Sequence, residues 1–208
     1  MALRIPPGRA GRIWLVRRLE IARHGAELLD RKRQALLRKQ GQARSEAAEA
    51  RRAWEDAAAQ VALWSARAAM GDGAGRLEML TRHVDEPASL QLSWTNLMGA
   101  QLPSVERISV PDRPPLSPLG ACSAAVFLAR TCREATCAAA RHAVAERADT
   151  EISAELNRAA RRLRALRERL VPQHEQALTQ LDLALDESQR EQAARVRWLT
   201  HRRSTEGS

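Results

Sequence analysis

An apolar repeat of unusual length occupies the first third of the chain. From Leu15 to Ala68, apolar residues recur at alternating steps of four and three, and only Arg33 and Gln40 interrupt the series. Such a repeat averages 3.5 residues per turn, and two helices that carry it supercoil around each other. No proline falls inside it, so we predict one helix from Gly11 to about Ala69. The positions of this first seam are Leu15, Leu19, Ala22, Ala26, Leu29, Arg33, Leu36, Gln40, Ala43, Ala47, Ala50, Trp54, Ala57, Val61, Trp64 and Ala68.

A helix of this length needs an equally long partner. At about 1.5 Å per residue it measures roughly 85–90 Å, whereas helices of globular proteins usually hold ~10–14 residues. Aromatic residues make up only 3% of the chain, tyrosine is absent and Phe127 is the one phenylalanine. This composition offers little material for a thick globular core, while alanine-rich seams let two helices approach closely.

A second apolar repeat begins at Ala121 and supplies the partner. It breaks at Val171-Pro172 and restarts at Leu178, so that two successive steps of four follow Leu170. Such a stutter locally unwinds a left-handed supercoil, and the proline inside it predicts a kink. The positions of this second seam are Ala121, Ala124, Leu128, Thr131, Ala135, Ala138, His142, Ala145, Asp149, Ile152, Leu156, Ala159, Leu163, Leu166, Leu170, Leu178, Leu181, Leu185, Val196 and Leu199.

The stretch between the two seams has a different character. Glycines 71, 73 and 75 predict a helix end and a turn. Leu90–Thr95 alternates apolar and polar residues, and Val105–Val110 can return as a second strand, which predicts a short hairpin at one end of the helix pair. A proline-rich connector, Pro111–Pro118, follows.

These patterns predict a fold dominated by α-helix: a long antiparallel two-helix coiled coil with a small head, containing a β-hairpin, inserted between the helices. The predicted parts are residues 1–70 for the N-terminal long helix and 71–120 for the inserted head. Residues 121–203 form the C-terminal long helix, kinked near Pro172, and 204–208 form a tail.

The residues suited to catalysis or metal binding form no recognisable site. The five histidines include no pair at the helical spacing of three or four that would build a metal face. Cys122, Cys132 and Cys137 lack the spacing of zinc ligands and are interpreted as small apolar helix residues. We predict no catalytic residue, no cofactor and no metal. His142, one heptad before Asp149, is interpreted as a packed or solvated helical histidine.

The charge and the terminal sequence limit the partners and the location. The formal net charge of +9 suggests an acidic partner surface, on protein, nucleic acid or membrane. Residues 1–18 do not resemble a secretory signal, and the longest nearly uncharged apolar run, Leu119–Ala129, is shorter than the ~20 residues that span a bilayer. These features predict a cytoplasmic protein without membrane insertion.

Two alternative functions remain open from the residues. One is a basic coiled coil that binds nucleic acid or a membrane surface, with steep salt dependence. The arginines between 158 and 169 invite that interpretation, but they distribute around the helix and accompany no nucleic-acid recognition motif, so we predict no nucleic-acid partner. The other is the stalk of a flagellar or type III export ATPase, which normally lacks an inserted head.

Three sequence elements, in the same order, resemble the D subunits of the V-type and A-type rotary ATPases. The first is Ile5-Pro6-Pro7 followed by a basic, leucine-rich helix through Lys32-Arg33. The second is Asn96-Leu97-Met98-Gly99 with Leu102-Pro103 close behind, and the third is Leu163 to Leu170-Val171-Pro172 before another charged helix. Together they extend over nearly the whole chain.

The resemblance implies a non-catalytic axle in the central stalk of an ATP-driven or ATP-synthesising ion pump. The implied partners are the catalytic and regulatory nucleotide-binding subunits of a hexamer, the small F subunit of the stalk, and a socket subunit that joins the axle to the membrane ring. The protein would then be peripheral to the membrane. We assign residues 5–38 and 180–203 (the tip) to the rotating contact inside the hexamer, and Arg76–Leu119 to the membrane side. The candidate partner-contact residues are Arg9, Arg12, Arg17, Arg18, Arg33, Met98 and Gly99.

Overall fold

The computed structural model of this protein describes residues 5–73, 75, 78, 87–111 and 123–206. The predicted connector beyond Pro111, the seam position Ala121 and Cys122 lie outside the described residues. Residues 123–206 form one continuous helical stretch, because a π-helical turn at Leu166–Leu170 follows Ala165 and precedes Val171 without a break. The elements in chain order are α1 (Gly8–Asp72), β1 (Ser89–Leu97), β2 (Ala100–Ser109), α2 (Ser123–Ala165), a π-helical turn (Leu166–Leu170) and α3 (Val171–Glu206).

The predicted fold class is confirmed: long helices flank a small antiparallel hairpin. α1 ends at Asp72, where the glycines of the sequence predict a helix end. Gly73 has a left-handed backbone (φ 79°), and its N–H donates to the carbonyl of Ala69 at 3.0 Å. This is the usual cap at a helix C-terminus, where glycine adopts the left-handed conformation without steric penalty.

The described chain divides into two compact units, and helices pair antiparallel in each. The first unit combines Met1–Arg33 with Arg158–Ser208, and the second is Gln34–Asn157. Cross-helix contacts show the direction, because partner numbers fall on one helix as they rise on the other. In the first unit Arg12 bonds Asp182 at 2.9 Å and Asp30 bonds Arg167 at 3.1 Å.

The second unit shows the same reversal of direction. Gln40 Nε2 donates to Ser153 Oγ at 2.7 Å. The rings of Trp64 and Phe127 stack at 4.7 Å, so the end of α1 pairs with the start of α2.

The first seam is confirmed at every position but one. Its members are buried or half-buried, except Trp54, which is 37% exposed. The buried members of both seams are small or medium-sized: Leu15, Leu19, Ala22, Ala26, Leu36, Ala43, Ala68, Ile152, Ala159 and Leu163.

The second seam is wrong at its C-terminal end. Val196 and Leu199, predicted to continue it, are 60% and 53% exposed. The physical reason lies in the length of α1. Because Arg12, near the start of α1, already pairs with Asp182, α1 has too few residues left to cover the last part of α3.

The predicted kink site near Pro172 contains the π-helical turn. The N–H of Val171 donates to the carbonyl of Leu166, five residues back instead of four. Proline cannot donate to the helical ladder, and its ring crowds the carbonyl four residues earlier. The wider turn directly before Pro172 accommodates both defects within a continuous helix.

Arg33 meets the seam in a way that the sequence analysis did not anticipate. An arginine at a seam position predicts that the partner helix packs loosely there or supplies an acid. The acid comes instead from the same helix: Asp30 accepts from Arg33 Nε at 3.1 Å and also from Arg167 Nη2 of the π-helical turn at 3.1 Å. These two hydrogen bonds hold the pKa of Asp30 below its usual value, and the bond from Arg33 has the larger effect.

The hairpin closes through a two-residue turn. Met98 (φ 52°) and Gly99 (φ 91°) are both left-handed, as a type I′ turn requires. Asn96 Oδ1 accepts a hydrogen bond from the Gly99 N–H at 2.9 Å. The strands pair antiparallel from Leu97 opposite Ala100 outward, with an irregularity at Gln91/Leu92.

The hairpin lies alongside the helices of the second unit and not beyond the end of α1. Leu102 packs against the cluster of Leu36, Ala43 and Ile152, about 30 residues before α1 ends. At the open end of the hairpin, Arg133 Nη2 donates to the carbonyl of Pro111 at 3.2 Å. The expected place at one end of the helix pair is therefore wrong for the hairpin, because the apolar side of β2 finds its contacts on the flank of the pair.

A charge placed in the seam is expected to unfold the first unit. Leu163→Asp puts an unpaired carboxylate at a position that is 6% exposed, which costs ~3 kcal/mol or more. Circular dichroism melting measures the loss. Asn157→Asp adds the same charge at an exposed position of α2 and is expected to melt like the parent; equal melting of the two variants would refute the seam.

The two ion pairs of Asp30 are expected to make the stability of the protein depend on pH. A carboxylate whose pKa is lowered on folding stabilises the protein above its unfolded pKa of about 3.9, and this contribution disappears as the pH falls through the folded value. Asp30→Asn should therefore lower the melting temperature at pH 7, and the difference from the parent should vanish toward pH 2. Asp186→Asn, at an exposed carboxylate of α3, is the control. A difference that persists unchanged in acid would contradict the role of the ion pairs.

Replacing the left-handed methionine is expected to stabilise the hairpin. Asn-Gly is the favoured type I′ pair, so Met98→Asn should slow amide exchange in the β1–β2 ladder by the equivalent of about 0.5–1 kcal/mol. Met98→Leu retains a side chain unsuited to this backbone and should leave exchange as in the parent. Faster exchange in Met98→Asn would show that the methionine side chain contributes more than its backbone costs.

Candidate functional site

The first candidate surface is an exposed face of α1 that extends from Ala10 to Ile21. A shallow groove runs along it, where apolar and basic side chains alternate. Ile13 and Ile21 are 55% and 67% exposed. Side chains four apart share a helix face, which brings Arg17 between the two isoleucines. We call this the basic–apolar face; its members are Ala10, Ile13, Trp14, Arg17, Arg18 and Ile21.

Contacts within the first unit hold this face in place. The guanidinium of Arg18 lies over the Trp14 ring, 5.2 Å from its centroid. Trp14 also stacks against His174, with ring centroids 6.5 Å apart. His174 is 4% exposed, and its Nδ1 donates to the Leu170 carbonyl at 2.7 Å. Trp14 thus connects the basic–apolar face to the interior of the helix pair.

His174 is a structural residue that sequence reasoning missed. The stutter was recognised, but the position between its two steps of four was not assigned to the seam. A signal was present, since His174 lies four residues after Leu170 and four before Leu178. An imidazole that donates to a carbonyl one turn earlier fills an apolar seam without leaving that nitrogen unsatisfied.

The structure places the predicted basic contact residues in different environments. Arg9 and Arg17 are exposed, and Arg18 stacks on Trp14. Arg12 is committed to Asp182 on α3, and Arg33 to Asp30. The structure therefore brings Arg17 and Arg18 together on one face, whereas Arg12 joins α1 to α3 and Arg33 is paired within α1.

The other two predicted contact residues lie at the hairpin turn. Met98 is 49% exposed, and Gly99 is exposed beside it. Leu90 and Trp94 of β1, at 42% and 56% exposed, extend the apolar surface along the outer strand. Sequence reasoning singled out the turn and missed Trp94, although the alternation around it was visible.

Groups that could bind a metal or act as a nucleophile are poorly placed in the described part of the chain. In the described part of the chain, no three histidine, cysteine, aspartate or glutamate side chains lie close enough to hold a metal ion. Burial raises the pKa of the Cys132 thiol, which works against the thiolate form that a nucleophile needs.

A search of curated proteins found no significant match. Across the described residues, no helix combines the length and the apolar character that crossing a bilayer demands. The family model for the D subunit of ATP synthase matches residues 13–200. The chain therefore belongs to the family of ATP synthase D subunits, which are stalk components of rotary ATPase complexes.

Proposed function

We propose that this protein is the central-stalk rotor subunit of a V/A-type rotary ATPase. It would transmit torque between a nucleotide-binding hexamer and an ion-translocating membrane ring, without catalysing a reaction itself. The observation that carries the proposal is the pairing of α1 with α2 and α3 along most of its length, in a chain that belongs to the family of D subunits. Alternation of small residues along the contact keeps two helices close, and close packing resists twisting.

The contacts that cross between helices support a role under load. In the first unit, Arg12–Asp182 and Arg23–Glu175 join α1 to α3 at 2.9 and 2.6 Å. Exposed pairs of this kind contribute only ~0.2–1 kcal/mol each. Their value here is positional, because each pair opposes sliding of one helix along the other.

We assign the basic–apolar face to the rotating contact inside the hexamer. Arg17 and Arg18 would meet acidic groups of the nucleotide-binding subunits, and Ile13 and Ile21 would slide on apolar ones. A helix face with only a shallow groove suits a contact that must be released repeatedly during each turn. The exposed last part of α3, with Val196 and Leu199, extends the same tip.

The C-terminal end of α1, near Asp72, is the side we assign to the socket subunit and the membrane ring. The hairpin lies on the flank of the second unit, so Met98 and Gly99 would face a lateral neighbour and not the ring itself. The small F subunit of the stalk, which we place on the flank of the helix pair, is the proposed lateral neighbour. In this arrangement the protein is cytoplasmic and peripheral to the membrane.

Charge reversal on the basic–apolar face is expected to weaken coupling. Arg17→Glu with Arg18→Glu should reduce ions pumped per ATP hydrolysed a few-fold, since it places like charges across the contact. Helicity should remain as in the parent. The assay compares ATP hydrolysis with ion uptake in the complex reconstituted in vesicles.

The matched control is Arg51→Glu with Arg52→Glu, an equal charge change at exposed positions of α1 outside the tip. This variant is expected to couple normally. Normal coupling in the Arg17/Arg18 variant would overturn the assignment of the face. Failure of the tagged protein to co-purify with nucleotide-binding subunits from detergent-solubilised membranes would overturn the proposed function as a whole.

A further inference from the structure

The two strands of the hairpin have unequal surroundings. β2 lies toward the helices: Ala100 and Pro103 are buried, and Leu102 packs on the helical cluster. β1 is the outer strand, and of its nine residues only Leu92 and Leu97 are even half-buried. Among the described residues the sheet has two strands, so no described strand covers the outer edge of β1.

The turn determines which backbone groups of β1 point outward. In a two-residue hairpin the residues that flank the turn form a hydrogen-bonded pair, and such pairs alternate with non-bonded ones along the strands. Leu97 and Ala100 flank this turn. The N–H and C=O groups of Leu92, Trp94 and Asn96 therefore point away from β2.

The partner of Trp94 supports this alternation. Trp94 stands opposite Pro103, which has no N–H to donate. A proline is tolerated in a strand only where its nitrogen points away from the ladder. The backbone nitrogen of Pro103 therefore points away from β1. Because Trp94 is its partner in the ladder, the backbone N–H of Trp94 points away from β2.

The residues of β1 itself include none of the types that usually prevent strand pairing. Exposed edges are normally protected by charged residues, proline or a bulge. β2 contains Pro103, Glu106 and Arg107, and Glu106 is the extra residue of the irregularity. From Ser89 to Leu97, β1 contains no charged residue and no proline, in a chain whose residues are 28% charged.

From these observations we infer that the outer edge of β1 is a strand-addition site for an extended, uncharged segment of another protein. The backbone of that segment pairs with Leu92, Trp94 and Asn96, and its apolar side chains pack on Trp94 and Leu90. Strand addition takes affinity from main-chain hydrogen bonds and specificity from alternate side chains. A second copy of this chain is disfavoured because pairing would bring together two molecules of net charge +9. The inference stands apart from the torque role.

Amide hydrogen exchange at single-residue resolution in the full-length protein tests this inference. The probe is an acetylated, amidated peptide of alternating threonine and valine, added to about 1 mM. Without peptide, the amides of Ser93 and Thr95 should exchange slowly and those of Leu92, Trp94 and Asn96 quickly. The peptide should slow the second group ~10-fold or more and leave the first unchanged.

Two variants at one position separate the backbone from the side chain. Trp94→Pro removes one outward N–H, and it should abolish the protection of Leu92 and Asn96 by the peptide. Trp94→Val keeps the N–H and should retain that protection. Slow exchange of Ser93 and Thr95 shows that the hairpin is intact in each.

A third variant keeps the test decisive if proline disturbs the hairpin. Thr95→Lys places a charge at the edge and should weaken peptide protection, whereas Thr95→Gln should not. The inference is overturned if the peptide protects no outward amide of the parent. It is equally overturned if protection survives Thr95→Lys, or if the outward amides are already protected without peptide in a concentration-dependent way, which would identify a second copy as the occupant.

Discussion

The close approach of two helices along a seam of small residues is the constraint on which the rest of this structure depends. Alanines at Ala22, Ala26 and Ala43 remove the side-chain bulk that would hold the helices apart. Leucines between them, Leu15 and Leu36 above all, are fully buried in return. Close approach then brings long polar side chains within reach of the opposite helix. The ion pairs of the flanks therefore follow from the alanines of the seam.

Polar residues inside the seam determine register more than stability. Gln40 meets Ser153 at 2.7 Å, and this pair has no equivalent one heptad away. Buried polar pairs add little net free energy but penalise every alternative alignment, in which a buried group would lose its partner. His142 and Asp149 show the cost of such contacts: His142 Nδ1 is buried without a hydrogen-bond partner, and Asp149 Oδ1 has none either and lies 3.8 Å from Arg44 Nε. Among the described contacts between the helices, we expect those at His142 and Asp149 to separate first.

The sequence predicted the periodic parts of this fold and failed where contacts depend on distant segments. Burial along the first seam follows from the repeat alone, because helical geometry puts those positions on one face. The place of the hairpin does not, since nothing near Leu102 in sequence identifies Leu36 and Ile152 as its neighbours. The acid beside Arg33 was expected on the partner helix. It is Asp30 of the same helix, because an acid three residues earlier reaches an arginine equally well.

The candidate surfaces show the same limit. Arg17 and Arg18 were correctly placed outside the seam, but the sequence could not reveal that Arg12 is occupied by Asp182. Which arginines remain available depends on how far α3 extends past the start of α1, and that is a property of the pairing and not of either helix. The wrong prediction for Val196 and Leu199 has the same origin. The π-helical turn at Leu166–Leu170 has a consequence for chain length. It holds one residue more than an α-helical turn, while the helices on either side keep their contacts with α1. The two paired helical segments therefore need not contain equal numbers of residues. Insertion or deletion of one residue at this point can be absorbed by a change between α-helical and π-helical hydrogen bonding. The length of one helix can then vary without a matching change in the other.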